Sequence, residues 1–196
     1  MRLYPLHLKL EGKKLVFAGC GKVGSRKLGQ LCKTGAKITI CDPHMNRERL
    51  ALVLTDPEVT GRIELRCEAV TGENRESLLR GSFLVIAASD DPSANEETAR
   101  YCMDRGILVN CATDPSLSDC IMPSVVDRDP VLLSITTGVP ALTKYMRKQL
   151  ERMVPQGISD LAIRLSDKRK KMIEHGAEHT EIKRELNAMI EENMKP

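Results

Sequence analysis

Apolar residues along the first half of this chain gather in short unbroken runs, separated by stretches of helical period. Residues 14–18 (KLVFA) form such a run and end in glycine, as a buried strand does. Lys22 to Thr34 carries Val23, Leu28, Leu31 and Cys32 at helical spacing, and Gly35 stops it. Lys37 to Cys41 (KITIC) is β-branched and strand-like. A helix over Arg47–Leu54, a strand over Arg62–Cys67 and a short helix over Glu73–Arg80 follow. Phe83 to Ala88 (FLVIAA) is the clearest buried strand. Asn95 to Asp104 reads as a helix ending at Gly106, and Ile107 to Cys111 (ILVNC) as a further strand. Strands and helices alternating at this spacing predict a parallel sheet with crossover helices. The continuous apolar strands predict that both faces are covered.

The pattern changes after Pro115. Ile121–Val126 and Val131–Thr136 are two β-rich runs joined by Asp127-Arg128-Asp129-Pro130, a linker with turn chemistry, so a hairpin is expected. Pro140 opens a helix to about Val154, which Pro155 and Gly157 break. Ser159 to Met194 is charged and helical, with Gly176 interrupting it. The fold expected is therefore α/β: a Rossmann parallel sheet in residues 1–113, a hairpin-plus-helix module in 114–154, and a helical tail in 155–196.

The first strand runs into Gly19-Cys20-Gly21-Lys22-Val23-Gly24, a complete GxGxxG. Gly19 permits the tight turn, Gly21 lets the backbone approach a pyrophosphate, and Gly24 allows close packing of helix on strand. The phosphates sit on the free N–H groups at the helix start, where Lys22 and Val23 lie. Asp42, followed by Pro43, ends the second strand 18 residues past Gly24, where a Rossmann acid falls. A carboxylate there accepts ribose hydroxyls of NAD and repels the 2′-phosphate of NADP. The alternatives are that Asp42 is a strand-end turn residue, or that His44, Arg47 and Arg49 greet a 2′-phosphate. Ser89 and Asp90 stand just beyond the fourth strand, where open α/β sheets bind ligands. A cofactor contact is the reading there, with a plain cap as its alternative.

Composition narrows the setting. The chain is 41% apolar and 29% charged, with no Trp, so aliphatic residues and Met build the core. No apolar run has membrane-spanning length, and MRLYPLHLKL lacks a signal-peptide pattern. Seven cysteines, an odd count without CxxC, point to reduced thiols in the cytoplasm and to no cysteine-ligated metal. A net charge of +3 is too small to imply nucleic acid. Lys144, Arg147, Lys148 and Arg152, then Lys168-Arg169-Lys170-Lys171, read as a solvated face or as a surface for a polyanion. His175 and His179 are four apart, but Gly176 lies between them, and exposed tail histidines are favoured over a metal site.

Several segments resemble the precorrin-2 dehydrogenase family, which includes the N-terminal part of bifunctional siroheme synthases. These are Tyr4-Pro5-Leu6, the glycine loop with Arg26-Lys27, Ala87-Ala88-Ser89-Asp90-Asp91-Pro92 with Asn95, Gly106-Ile107-Leu108-Val109-Asn110, and Asp119-Cys120-Ile121-Met122-Pro123-Ser124-Val125-Val126-Asp127-Arg128. The resemblance implies oxidation of precorrin-2 to sirohydrochlorin with NAD+, a tetrapyrrole substrate, and an intertwined homodimer with the hairpin at its interface. Some members also insert ferrous iron, so a dehydrogenase–ferrochelatase is one alternative and a non-catalytic NAD-binding regulatory module another. The substrate's many carboxylates suit the helix bearing Lys144, Arg147 and Lys148.

The chain departs from the family pattern in three places. Thr113 stands at the family's essential aspartate position, and the acid comes one place later, at Asp114. The loop Thr137-Gly138-Val139-Pro140 is two residues shorter than the family's SGG-x-SP. No methyltransferase domain is expected after the short tail. Asp114 is the nearest carboxylate to take or direct the substrate proton, with Thr113 beside it. The competing readings are that Asp114 caps the turn before Pro115, or that solvent takes the proton and the protein works by proximity.

Overall fold

A computed structural model describes residues 3–55, 59 and 62–194. Chain contacts divide the protein into two compact units, Met1–Met122 and Pro123–Pro196.

In the first unit, strands β1 (Lys14–Ala18), β2 (Lys37–Cys41), β3 (Ile63–Arg66), β4 (Leu84–Ala87) and β5 (Leu108–Cys111) pair in the order β3-β2-β1-β4-β5, all parallel. This is the Rossmann-type sheet the alternation predicts. The order reverses between β1 and β4, and at such a switch point the strand ends leave a crevice for ligand.

Alternation along each strand loads both faces with apolar side chains. Leu15, Phe17, Ile38, Ile40, Leu84 and Ile86 face one way and pack on Leu28 and Leu31 of α1 (Lys22–Leu31) and Leu50 of α2 (Arg47–Val53). Val16, Ala18, Cys41, Val85, Val109 and Cys111 face the other way, onto Leu78 and Leu79 of α3 (Arg75–Leu79) and Ala99 and Cys102 of α4 (Pro92–Asp104). Removing both faces from water is the main driving force that holds the sheet.

Boundaries differ from the expected ones for local reasons. The first helix passes into a 3-10 turn at Cys32–Thr34 before Gly35, whose φ of 75° closes it. Helix α4 begins three residues earlier than its apolar period suggests. Asp91 accepts the N–H groups of Ser93 (2.8 Å) and Ala94 (3.3 Å), and Pro92 takes the first turn, where its missing N–H costs nothing.

The second unit opens with the expected hairpin. β6 (Ser124–Arg128) and β7 (Val131–Ile135) pair antiparallel from Ser124↔Ile135 to Arg128↔Val131. β6 begins three residues later and ends two residues later than its apolar run, and β7 ends one residue earlier, so Asp129-Pro130, with a cis peptide bond, alone joins them. Helices α5 (Pro140–Met153), α6 (Ile158–Glu174) and α7 (His179–Asn193) follow, with Gly176 (φ 73°) between the last two. Val126, Leu161 and Ile182 are the apolar residues fully buried in this unit among the described residues. Helix α5 buries none, and it exposes Leu142, Tyr145, Met146 and Met153, while Leu132 of β7 and Ile163 of α6 are also exposed.

Candidate functional site: a glycine loop at the sheet's switch point

The glycine loop leaves β1 and turns at once into α1. Gly19 has φ 91°, and a Cβ on it would lie 2.4 Å from the backbone N and Cα of Ser89. Only a residue without a side chain takes that conformation so close to the neighbouring chain. Gly24, one turn into the helix, would place a Cβ 2.7 Å from the Gly19 carbonyl oxygen, so α1 rests directly on the loop. Gly21 differs from both. Its φ is −64°, and a Cβ there would meet only the Asp90 carboxylate, at an ordinary 3.5 Å. Nothing inside the protein demands glycine at 21. The open space before it lies at the start of α1, where Gly21 is the N-cap and no side chain caps the helix. The N–H groups of Lys22, Val23 and Gly24 have no acceptor within the helix, so this end attracts an anion.

Asp42 closes one side of this cradle. Its Oδ2 accepts the Cys20 N–H (2.7 Å), and its Oδ1 accepts the His44 N–H across Pro43 (2.8 Å). The Gly19 N–H donates to the Cys41 carbonyl (2.8 Å), so the end of β2 and the loop are joined twice. Each carboxylate oxygen keeps a second lone pair for a ribose hydroxyl. Cys20 is buried, and its thiol is raised to about 11 by burial and then by the charge of Asp42. It stays protonated and is no nucleophile.

On the other side, the exit of β4 is held by Asn95. Its Oδ1 accepts the Ser89 N–H (2.9 Å) and hydroxyl (2.8 Å), and its Nδ2 donates to the Ser89 carbonyl (2.9 Å). The structure thus brings Gly19, Gly21, Asp42, Ser89 and Asp90 to one end of the sheet.

Thr113 and Asp114 lie just past β5. The Ala112 N–H donates to the Ala87 carbonyl (2.8 Å), which keeps this exit beside that of β4. The Thr113 hydroxyl is 3.4 Å from the Cys111 thiol. Asp114 caps a 3-10 turn at Pro115–Leu117, and its Oδ1 accepts both the N–H (2.8 Å) and the hydroxyl (2.7 Å) of Ser116. Those two bonds hold its carboxyl below the usual carboxylate range. Both fall on Oδ1, and Asp114 is exposed.

Residues 6–124 match the family described as putative NAD(P)-binding. The chain belongs to that family. Among curated proteins, the siroheme synthase of Nitrosospira multiformis is 34% identical over 164 residues, which is 83% of this chain and 34% of the relative. The siroheme synthase of Nitrosococcus oceani is 31% identical over 163 residues, 82% of this chain and 33% of the relative. The chain therefore spans about a third of the length of these relatives. A solved structure, SirC, precorrin-2 dehydrogenase, superposes with a TM-score of 0.76 at 22% identity, over 96% of this chain and 89% of that one, and shares its fold. These matches bear out the family resemblance seen in the sequence.

Within this NAD(P)-binding scaffold, three polar residues carry more than the sequence reading gave them. Asn95 and Asn110 are buried polar groups with their hydrogen bonds filled, and Lys27 is a buried lysine on α1. An Asn closing an otherwise apolar strand (ILVNC) was the available signal for Asn110. For Lys27 the signals were the Arg26-Lys27 pair of the family resemblance and its step with Gly24, Leu28 and Leu31 along α1, neither of which names its partner.

The second unit's charges are partly spent within it. Arg147 pairs with Glu151 (2.9 Å) and Lys168 with Glu185 (2.9 Å). His175 ends α6, with its ring Nδ1 2.6 Å from the Lys171 carbonyl, and His179 opens α7, so their spacing does not place them on one helix. No described helix is long and apolar enough to cross a membrane.

Proposed function

We propose that this chain oxidises precorrin-2 to sirohydrochlorin with NAD+, in the cytoplasm. The observation that carries this reading is the glycine cradle with Asp42, in a chain that resembles siroheme synthases over most of its length. The residues fit the dinucleotide: Gly21 leaves room for its pyrophosphate, the start of α1 with Lys22 and Val23 supplies N–H donors, and Asp42 with Pro43 borders its ribose. Ser89 and Asp90 border its nicotinamide half. When bound, NAD+ supplies the hydride acceptor. The substrate loses that hydride and one proton. Asp114 takes or directs the proton through its carboxylate, with Thr113 alongside. All seven cysteines are free, which supports a reducing compartment. In this division residues 1–113 bind the cofactor, 114–154 serve dimerisation and substrate, and 155–196 form the helical end.

The test is anaerobic incubation of the protein with precorrin-2 and NAD+. One NADH should form for each sirohydrochlorin, and an NADH yield no greater than the protein-free control overturns the reading in favour of a non-catalytic NAD-binding module. Ferrous iron added afterwards reports any chelatase step as a second spectral change. Calorimetric titration should show NAD+ binding at least about tenfold more tightly than NADP+, because Asp42 repels a 2′-phosphate. Equal affinities would shift the ribose contact to His44 and Arg47.

The second unit supports a homodimer. A two-stranded hairpin is marginal alone, and α5 carries an apolar row with nothing over it. Sedimentation at micromolar concentration should give twice the chain mass, and a monomer there contradicts the assignment.

Asp114→Asn separates charge from structure, since Asn caps a turn as well as Asp. Stability should hold, while turnover falls about 100-fold at saturating NAD+. The ionised carboxylate is the active form. Because its folded pKa is depressed, the charge is complete above the ordinary range and is lost only as pH falls through the lowered value. Turnover should therefore stay level down to about pH 4. An acid limb centred near pH 6 would assign the proton to another group.

A further inference from the structure

Lys27 lies on the face of α1 that packs on the sheet, and it is 8% exposed. Its ammonium donates to Oδ1 of Asn110, a neutral acceptor on β5. No carboxylate pairs with it among the described residues. Burial pulls its pKa down and the charge of Arg26 adds to this, while the Cys120 and Cys111 thiols oppose them. A methionine or leucine would suit that side of the helix better, because burying an ammonium is costly. The cost is concentrated on one contact, and that contact leads elsewhere. Asn110 turns its Nδ2 to the Cys120 carbonyl (2.8 Å). Around it, residues 118–120 run back along the open edge of β5. The Asp119 N–H donates to the Val109 carbonyl (3.0 Å), the Asp119 carboxylate accepts the Val109 N–H (3.2 Å), and the Ser118 hydroxyl accepts the Cys111 N–H (2.9 Å). The segment between these ties carries Thr113 and Asp114.

We propose that Lys27 is a positioning residue that, through Asn110, fixes the segment 111–120 against β5 and so sets where Thr113 and Asp114 stand. Its consequence for turnover rests on the dehydrogenase reading above. Lys27 does not touch the reacting atoms. It orients the Asn110 amide so that the oxygen faces the helix and the NH2 faces the Cys120 carbonyl. Without the ammonium the amide oxygen loses its donor, the Cys120 carbonyl alone orients the amide, and the tie to Cys120 is made only part of the time.

The test uses the full chain with Lys27→Met, Asn110→Leu and the double variant. For Lys27→Met, amide exchange at Cys111 and Asp119 should speed up about tenfold or more, while Val16 and Val85 in the central strands keep their protection. Affinity for NAD+ should stay within about twofold, and kcat should fall about tenfold or more with little change in KM, the signature of a misplaced reacting group. The double variant removes both polar partners and should recover thermal stability, since replacing both is nearly neutral. Its turnover should stay low, because the tie to Cys120 is still missing. Unchanged exchange at Cys111 and Asp119 in Lys27→Met overturns the proposal. So does a double variant that recovers turnover together with stability, which would make Lys27 a stability residue only. If the wild-type protein gives no turnover of precorrin-2, the proposed function fails, and the exchange measurement still decides what Lys27 does.

Discussion

Gly19→Ala is expected to destabilise the protein by more than about 4 kcal/mol, an exceptional loss for one methyl group. Two costs add. At φ 91° an L residue is strained, by roughly 1–2 kcal/mol. The new Cβ would also lie 2.4 Å from two backbone atoms of Ser89. Ser89 cannot step aside, because its N–H, hydroxyl and carbonyl are all bonded to the buried side chain of Asn95. The clash must therefore move β1 against β4, in the middle of the sheet. A total stability of about 5–15 kcal/mol leaves little after such a loss. Urea unfolding followed by circular dichroism measures it, and a midpoint within experimental error of wild type would show that the Ser89 turn yields.

Gly21→Val should do the opposite. Its backbone has a negative φ, and its Cβ direction opens onto the cradle with Asp90 as the sole neighbour, so the fold should lose no more than about 1 kcal/mol. Binding should fall about 100-fold or more for NAD+ and NADP+ alike, some 2.7 kcal/mol, because the side chain fills the space through which a pyrophosphate reaches the N–H groups of α1. Calorimetry of both cofactors, paired with an unfolding curve, separates the outcomes. Retained affinity would mean that the dinucleotide approaches from another side. The two glycines stand two positions apart in one motif, yet the fold requires one and leaves space at the other.

The motif itself assigns these separate tasks to the three glycines, and the structure adds the distances that set the packed positions, 19 and 24, apart from the open one, 21. The sheet is equally legible in the sequence. Unbroken apolar runs such as KLVFA and FLVIAA call for a sheet buried on both faces, and Asp42 falls just past the end of the second strand. Polar residues were harder to place. Helical period assigns Lys27 to a direction on α1 but not to a neighbour, and Asn110 becomes its neighbour only when β5 is added at the far side of β4. Asp114 shows the same limit differently. The sequence offers a base or a turn cap, and the structure shows the cap made by Oδ1 alone. Apolar period alone starts this helix at Asn95 because its first turn is polar, and the Asp91 cap sets the start at Pro92.

Asp42 joins two functions that are separate in the alphabet of the motif. Its Oδ2 pins the Cys20 amide and with it the glycine turn, while under the proposed function the same carboxylate also selects the ribose. Engineering a switch of coenzyme by exchanging this acid for a neutral or basic residue would therefore also unfasten the turn that grips the phosphates. A change of preference at this position comes with weaker holding of either coenzyme, until some other acceptor is supplied to the Cys20 amide. Designs toward a 2′-phosphate should accordingly begin at His44 and Arg47, and leave the acid where it is.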